Sequence, residues 1–227
     1  MNPSFSQWVF KDTVANISQQ LGMRKATEAL GRLNLIDSST ISLCLTQYRW
    51  AVFRKTKAGV KLHLRLVYCD EGIYPDEVVL TPAKPADKTQ MDALVVNDPN
   101  ALNVFDRGYL DYKKFDLYSE NFIRFVTRLK SNADIHVIEE RPVDPNSTVL
   151  RDAVVRLGNK YTYLMKHPLR LIELLDSEGN KIMILTNDFN LSVDDEGRNM
   201  VSLKNPVAVQ SLGMGKSVAS PKRAPKR

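Results

Sequence analysis

Two aspartates end apolar runs in this 227-residue chain. Asp37 closes Leu33, Leu35 and Ile36, and Asp106 closes Val104 and Phe105. A carboxylate at the end of a central strand loses hydration unless a charge meets it. If the two strands are neighbours, the carboxylates converge and repel unless a divalent cation bridges them. Mg2+ suits such a site, because it takes a few carboxylate oxygens together with water and phosphate oxygens. Two such ions, roughly 3.5–4 Å apart, activate a water and stabilise the leaving oxygen in phosphodiester displacement. A plainer reading also stands: Asp37 before Ser38-Ser39-Thr40 forms an Asx-turn or cap, and Asp106 pairs with Arg107.

The surroundings of the two acids are basic. No acid occurs between Asp37 and Asp70, where Arg49, Arg54, Lys55, Lys57, Lys61 and Arg65 lie. Such a stretch neutralises phosphates, or else forms a solvated face. Arg54, Lys55, Lys57 and Lys61 are the candidate phosphate contacts, of the kind that position DNA without reading its sequence. Arg107 and Tyr109 are candidates to touch DNA near a scissile bond, with a strand-end ion pair and a core tyrosine as alternatives. His63, His136 and His167 show no ligand spacing. Cys44 and Cys69 fit no metal pattern and read as buried thiols, and Trp50 as a core or interface residue. GMGKS (213–217) lacks the full phosphate-loop spacing.

The elements that must position these residues follow from periodicity. Helical spacing covers 5–31. A strand begins at Leu33, and the alternation of 58–69 predicts a strand burying Val60, Leu62, Leu64, Leu66 and Tyr68. A turn and an antiparallel partner follow. PADKTQMDALVV predicts a short helix with Asp87 as N-cap. ALNVFD is a strand, and DYKKFDLYSEN a helix with Tyr112, Phe115 and Leu117 toward the core. FIRFVTRLK is a strand. From about 134 four strand-like runs separated by turns give a β-rich segment. After 192 periodicity stops, and a basic tail of low order is expected.

Composition is that of a globular protein, 43% hydrophobic and 26% charged, large enough for one sizeable domain or two small ones. No apolar run reaches the ~18 residues of a membrane span. No signal peptide is read at the N-terminus, and the two cysteines suit a reduced cytosol. Residues 193–227 hold seven Lys/Arg against three acids, so much of the basic balance belongs to the tail.

The words LIDSSTISL, FRKTKAGVKLHLRLVY, TPAKPADKTQMD, NVFDRGYLDYKKFDLYSENFIRFVTRLKSNA and ILTNDF run in this order from about residue 33 to 192. Together they closely resemble bacterial insertion-sequence transposases of the DDE type, in the insertion-sequence-four-like group. The resemblance implies an α/β, RNase H-like fold, a mixed sheet flanked by helices. Asp37 would lie on the first strand and Asp106 on the fourth, with a β-rich insertion after. It implies that both aspartates and a glutamate hold two Mg2+ or Mn2+ ions for strand nicking and transfer. The implied partners are double-stranded DNA at transposon ends and a second copy or a full-length transposase, in the bacterial cytoplasm at the nucleoid.

The family's third carboxylate lies in a Y-x2-R-x3-E-x6-K signature that these residues do not contain. Glu173, Glu178 and Glu196 are the late glutamates, and none has that setting. The expectation is therefore a truncated copy, frameshifted near residue 193. Its parts would be a residual helical segment (1–32), the first part of the catalytic core (33–133), the insertion (134–192) and a divergent tail (193–227).

Overall fold

Alternating apolar residues and β-branched runs carry the chain into strands from Arg32 onward. The computed structural model describes residues 32–69, 72–145, 147, 149–175 and 179–191. The helical segment expected over 5–31 and the tail after 192 lie outside these. The first strands are β1 (Arg32–Leu43), β2 (Val52–Arg54), β3 (Lys57–Cys69) and β4 (Gly72–Pro82). α1 (Met91–Leu94) precedes β5 (Ala101–Phe105), and α2 (Tyr112–Glu120) joins β5 to β6 (Arg124–Arg128). A meander closes the described chain: β7 (Ile135–Arg141), β8 (Val149–Leu157), β9 (Leu169–Leu175) and β10 (Lys181–Thr186).

β4, β3 and β1 are antiparallel neighbours, while β1, β5 and β6 run parallel. Parallel pairing demands a crossover, and the segments carrying α1 and α2 supply it. The order β4-β3-β1-β5-β6, antiparallel then parallel, is the RNase H-like arrangement. β10 then pairs antiparallel with β6, and β9, β8 and β7 extend the same ten-stranded sheet.

The two faces of β1 and β3 differ from the sequence expectation. Leu62, Leu64 and Leu66 are only half-buried, and their β4 neighbours Val78 and Leu80 are exposed. Tyr68 is buried as expected, but along the middle of the strand it is His63 and Val67, on the opposite face, that are packed. Alternation shows that one face differs from the other, but the segment that covers a face comes from elsewhere in the chain. Here Met91 and Leu94 of α1, Tyr109, and Phe115 and Tyr118 of α2 join one cluster with Ile36, Phe105 and Phe125. Phe125 stacks on Phe115 at 4.7 Å and on Phe105 at 5.7 Å, both offset geometries that aromatic rings favour.

α2 starts where Asp111 accepts bonds from the Lys113 and Lys114 amides, an N-cap. Its buried face is Phe115, Asp116 and Tyr118; Leu117, expected inward, is half-exposed. Asp87 does not cap a helix. It begins a 3-10 turn, Asp87–Gln90, and its carboxylate turns toward the sheet.

The meander is tied to the core by side chains as well as by the β6–β10 ladder. Asp116 of α2 accepts from the amides of Lys166 and His167 at 2.9 and 2.8 Å and from the Tyr163 hydroxyl at 2.7 Å. Burial pushes its carboxyl up, but these bonds outweigh burial and hold it below the usual carboxylate range. Within the meander, Arg170 pairs with Asp152 and donates to the Leu191 carbonyl, so a buried cation finds partners on each side.

Candidate functional site

β1 and β5 bring the two aspartates together. The last register pair of these parallel strands is Ile36 opposite Phe105, and Asp37 and Asp106 each follow by one residue. Side chains alternate along a strand, so both point to the face of Leu35 and Val104. Adjacent strands lie ~4.8 Å apart, which places the carboxylates as neighbours at one level. Asp37 is exposed and Asp106 half-buried. The Ser38 amide donates to Asp37 at 2.7 Å, an Asx-like bond that coexists with the strand. No ion pair joins Asp106 to Arg107 among the described residues; Asp106 instead precedes a 3-10 turn, Arg107–Tyr109, that Tyr109 closes by donating to its carbonyl.

Behind the pair lies a polar network that the sequence did not announce. Asp87 accepts from the Ser38 hydroxyl at 3.0 Å and from the Lys61 ammonium at 2.8 Å. His63, 1% exposed, bonds the Tyr109 hydroxyl at 3.3 Å and the Thr81 hydroxyl at 3.0 Å, with Asp87 3.8 Å away. Ser38 is the neighbour of Asp37, and Tyr109 closes the turn after Asp106, so the network braces the backbone carrying both aspartates. Tyr109 is 1% exposed. Burial, and then the charges of Asp87, Asp37 and Asp106, push its phenol far up, and it stays a proton donor. Burial lowers the His63 pKa, and Asp87 partly offsets this. A Cβ on Gly108 would stand 3.2 Å from the Asp87 carboxylate, which accounts for a glycine between Arg107 and Tyr109.

The expected DNA contacts divide. Arg54, Lys55 and Lys57 are exposed at the β2–β3 turn, and Arg107 is exposed beside Asp106. Lys61 turns inward, tied to Asp87 and the Pro85 carbonyl. Tyr109 is a core residue. Cys44 is exposed and Cys69 half-buried, rather than both buried, and Trp50, 66% exposed, is not core, which leaves the interface reading. Strand alternation locates such residues on a face but says nothing about the loops that pack there, which is why the roles of Asp87 and His63 were missed.

Carboxylate oxygens on two adjacent strands, facing the same side, are a donor set that suits a hard divalent cation. Among the described residues no third His, Cys, Asp or Glu joins them. Glu173 lies in β9, paired with Lys181 at 2.6 Å, and belongs to the meander. Glu178 and Glu196 lie outside the described residues. No described helix is long and apolar enough to cross a membrane.

A protein named as a transposase, y4zB, of Sinorhizobium fredii is 32% identical over 187 residues, 79% of this chain and 51% of the relative. A protein named as the transposase of insertion sequence element IS5377 of Geobacillus stearothermophilus is 29% identical over 164 residues, 71% and 42% of the two chains. The chain thus spans about half the length of the curated relatives it matches. Among solved structures, a piggyBac transposase synaptic complex with hairpin DNA aligns at TM-score 0.44 and 14% identity, over 80% of this chain and 39% of that one. The NurA nuclease of Sulfolobus solfataricus aligns at 0.31 and 9%, over 89% and 85%. Both scores are low, and the assignment rests on sequence. The family model of the transposase DDE domain matches residues 28–195, a span that holds both aspartates, the network behind them and the meander; the chain belongs to that family.

Proposed function

We propose that this chain acts in insertion-sequence transposition, binding double-stranded transposon ends at Asp37 and Asp106. The single observation that carries the reading is their equivalent position on adjacent parallel strands, one residue past Ile36 and Phe105. DDE transposases as a family use divalent metal ions, and Asp37 and Asp106 would hold Mg2+ or Mn2+ here, as an incomplete set without the family's third carboxylate. When bound, the metals supply charge neutralisation and an activated water for phosphodiester cleavage. The protein's own part is to hold the two carboxylates at one level through the Ser38–Asp87–Tyr109 bracing. Arg54, Lys55, Lys57 and Arg107 draw the phosphates in. Residues 134–192 are read as an insertion in the catalytic core, as the β6–β10 pairing supports.

A second reading has its own support: among the described residues no group of three metal-binding side chains forms, and with Asp37 and Asp106 alone the chain would bind DNA without cutting it. One experiment separates the two. The purified chain, Asp37→Ala and Asp106→Ala are incubated with DNA carrying the ends of the encoding element, with and without Mn2+. Metal-dependent nicking lost in both variants is the expected result for the enzyme. Salt-sensitive binding without nicking supports the binder. Neither binding nor nicking overturns both.

A further inference from the structure

Trp50 is the most exposed residue of its type and size in the described chain's basic hairpin, and its setting is built. The segment after β1 turns at Cys44–Tyr48, runs through a 3-10 turn at Arg49–Ala51 and enters β2. Ala51 is fully buried, and Phe53 packs against Gly59, where an added Cβ would stand 3.1 Å from its ring and 2.9 Å from the Ile41 carbonyl. Ala51 and Phe53 therefore seat the segment, and Trp50, immediately before Ala51, is left 66% in solvent, with Tyr48 40% exposed nearby. Arg49, Arg54, Lys55 and Lys57 are exposed around it, and no acid lies in this part of the chain. Singly exposed apolar residues are ordinary on a protein surface, and it is the exposed cations near this one in the chain that set it apart.

We infer that Trp50 is a base-stacking residue: it takes the face of an unstacked DNA base while the surrounding cations hold the adjoining phosphates. Charge complementarity selects nucleic acid over an apolar protein surface, and an aromatic face amid cations is the chemistry that grips unpaired bases without reading them. The inference rests on the proposed DNA-binding function and adds a position to it. β1 runs on from Asp37 to Leu43, on the order of 20 Å at about 3.3 Å per residue. Val52 pairs with Ala58, which stands opposite Leu43, so the hairpin root sits at that far end. At 3.4 Å per step the base would lie about six base pairs from the phosphate at the aspartates.

The test is binding of the full chain to two duplexes of equal length, one fully paired and one with a three-nucleotide mismatched bubble, by fluorescence anisotropy. The wild type should prefer the bubble by about tenfold, the order expected for stacking one base on an aromatic side chain. Trp50→Ala should lose the preference and keep its affinity for the paired duplex, while Trp50→Phe keeps most of the preference. Circular dichroism verifies that both variants fold. No bubble preference in the wild type, or one that survives in Trp50→Ala, overturns the inference and leaves the proposed function standing. A concentration-dependent dimer lost in Trp50→Ala with DNA preference unchanged assigns the indole to a second copy, and also overturns it. No DNA binding by the wild type at low salt defeats the proposed function itself.

Discussion

His63 sits where a proton is costly. Burial lowers its pKa below the ordinary histidine value, and Asp87 restores only part of it. In the unfolded chain the ring takes a proton near ~6.5. The contribution to stability is therefore whole above that pH and is lost as pH falls through the unfolded value toward the lower folded one. His63→Gln should cost about 1–2 kcal/mol at pH 7, because the Tyr109 and Thr81 bonds are disturbed. Its urea midpoint should then fall less than that of the wild type between pH 7 and 5; an equal fall in both would show that the ring is not the proton acceptor. At this scale the placement of Asp37 and Asp106 at strand ends was legible, because a strand end is a local feature, and the β1–β5 register then makes the two neighbours. It misplaced Lys61, which reads as a surface cation until Asp87, distant in sequence, is packed against it.

At the scale of elements, the strands and α2 were legible from periodicity. The buried face of β3 was not, because α1 and α2 decide which face is covered. The same distinction governs the turns. Gly158 and Gly179 both have positive φ, where a side chain is strained. A Cβ on Gly158 would lie 1.8 Å from the Tyr163 carbonyl, in the bridge that pairs Gly158 with Leu164; around Gly179 nothing lies within 4 Å. Gly158→Ala should cost about 2–4 kcal/mol and Gly179→Ala about 1 kcal/mol in denaturant unfolding. Equal costs would mean that backbone conformation alone, and not the close approach, sets the penalty.

Across the whole molecule, the described residues belong to one compact unit ending at Leu191. The β-rich segment was legible as a change of character near 134, but nothing in its alternation shows that it shares a sheet with the core. That sharing has a thermodynamic signature. The β6–β10 ladder and the Asp116 bonds to Lys166 and His167 couple the meander to α2. Asp116→Ala takes the acceptor from the Lys166 and His167 amides and the Tyr163 hydroxyl and should lower stability by about 3 kcal/mol. Far-ultraviolet and near-ultraviolet signals should still fall together in one transition, in the wild type and the variant alike. Separate melting of the meander would break this account of the coupling.

The placement of β10 between β6 and β9 also matters while the chain is being made. β6 is complete at Arg128, yet its outer edge finds its partner only when Thr186 has left the ribosome. For the time needed to add those residues, the nascent core carries an unpaired hydrogen-bonding edge next to Phe125 and Val126, a template for another chain. Ribosomes translating one message in close succession would bring such edges together, so a slower passage through 129–186 should raise the insoluble fraction more than the same delay placed after Leu191.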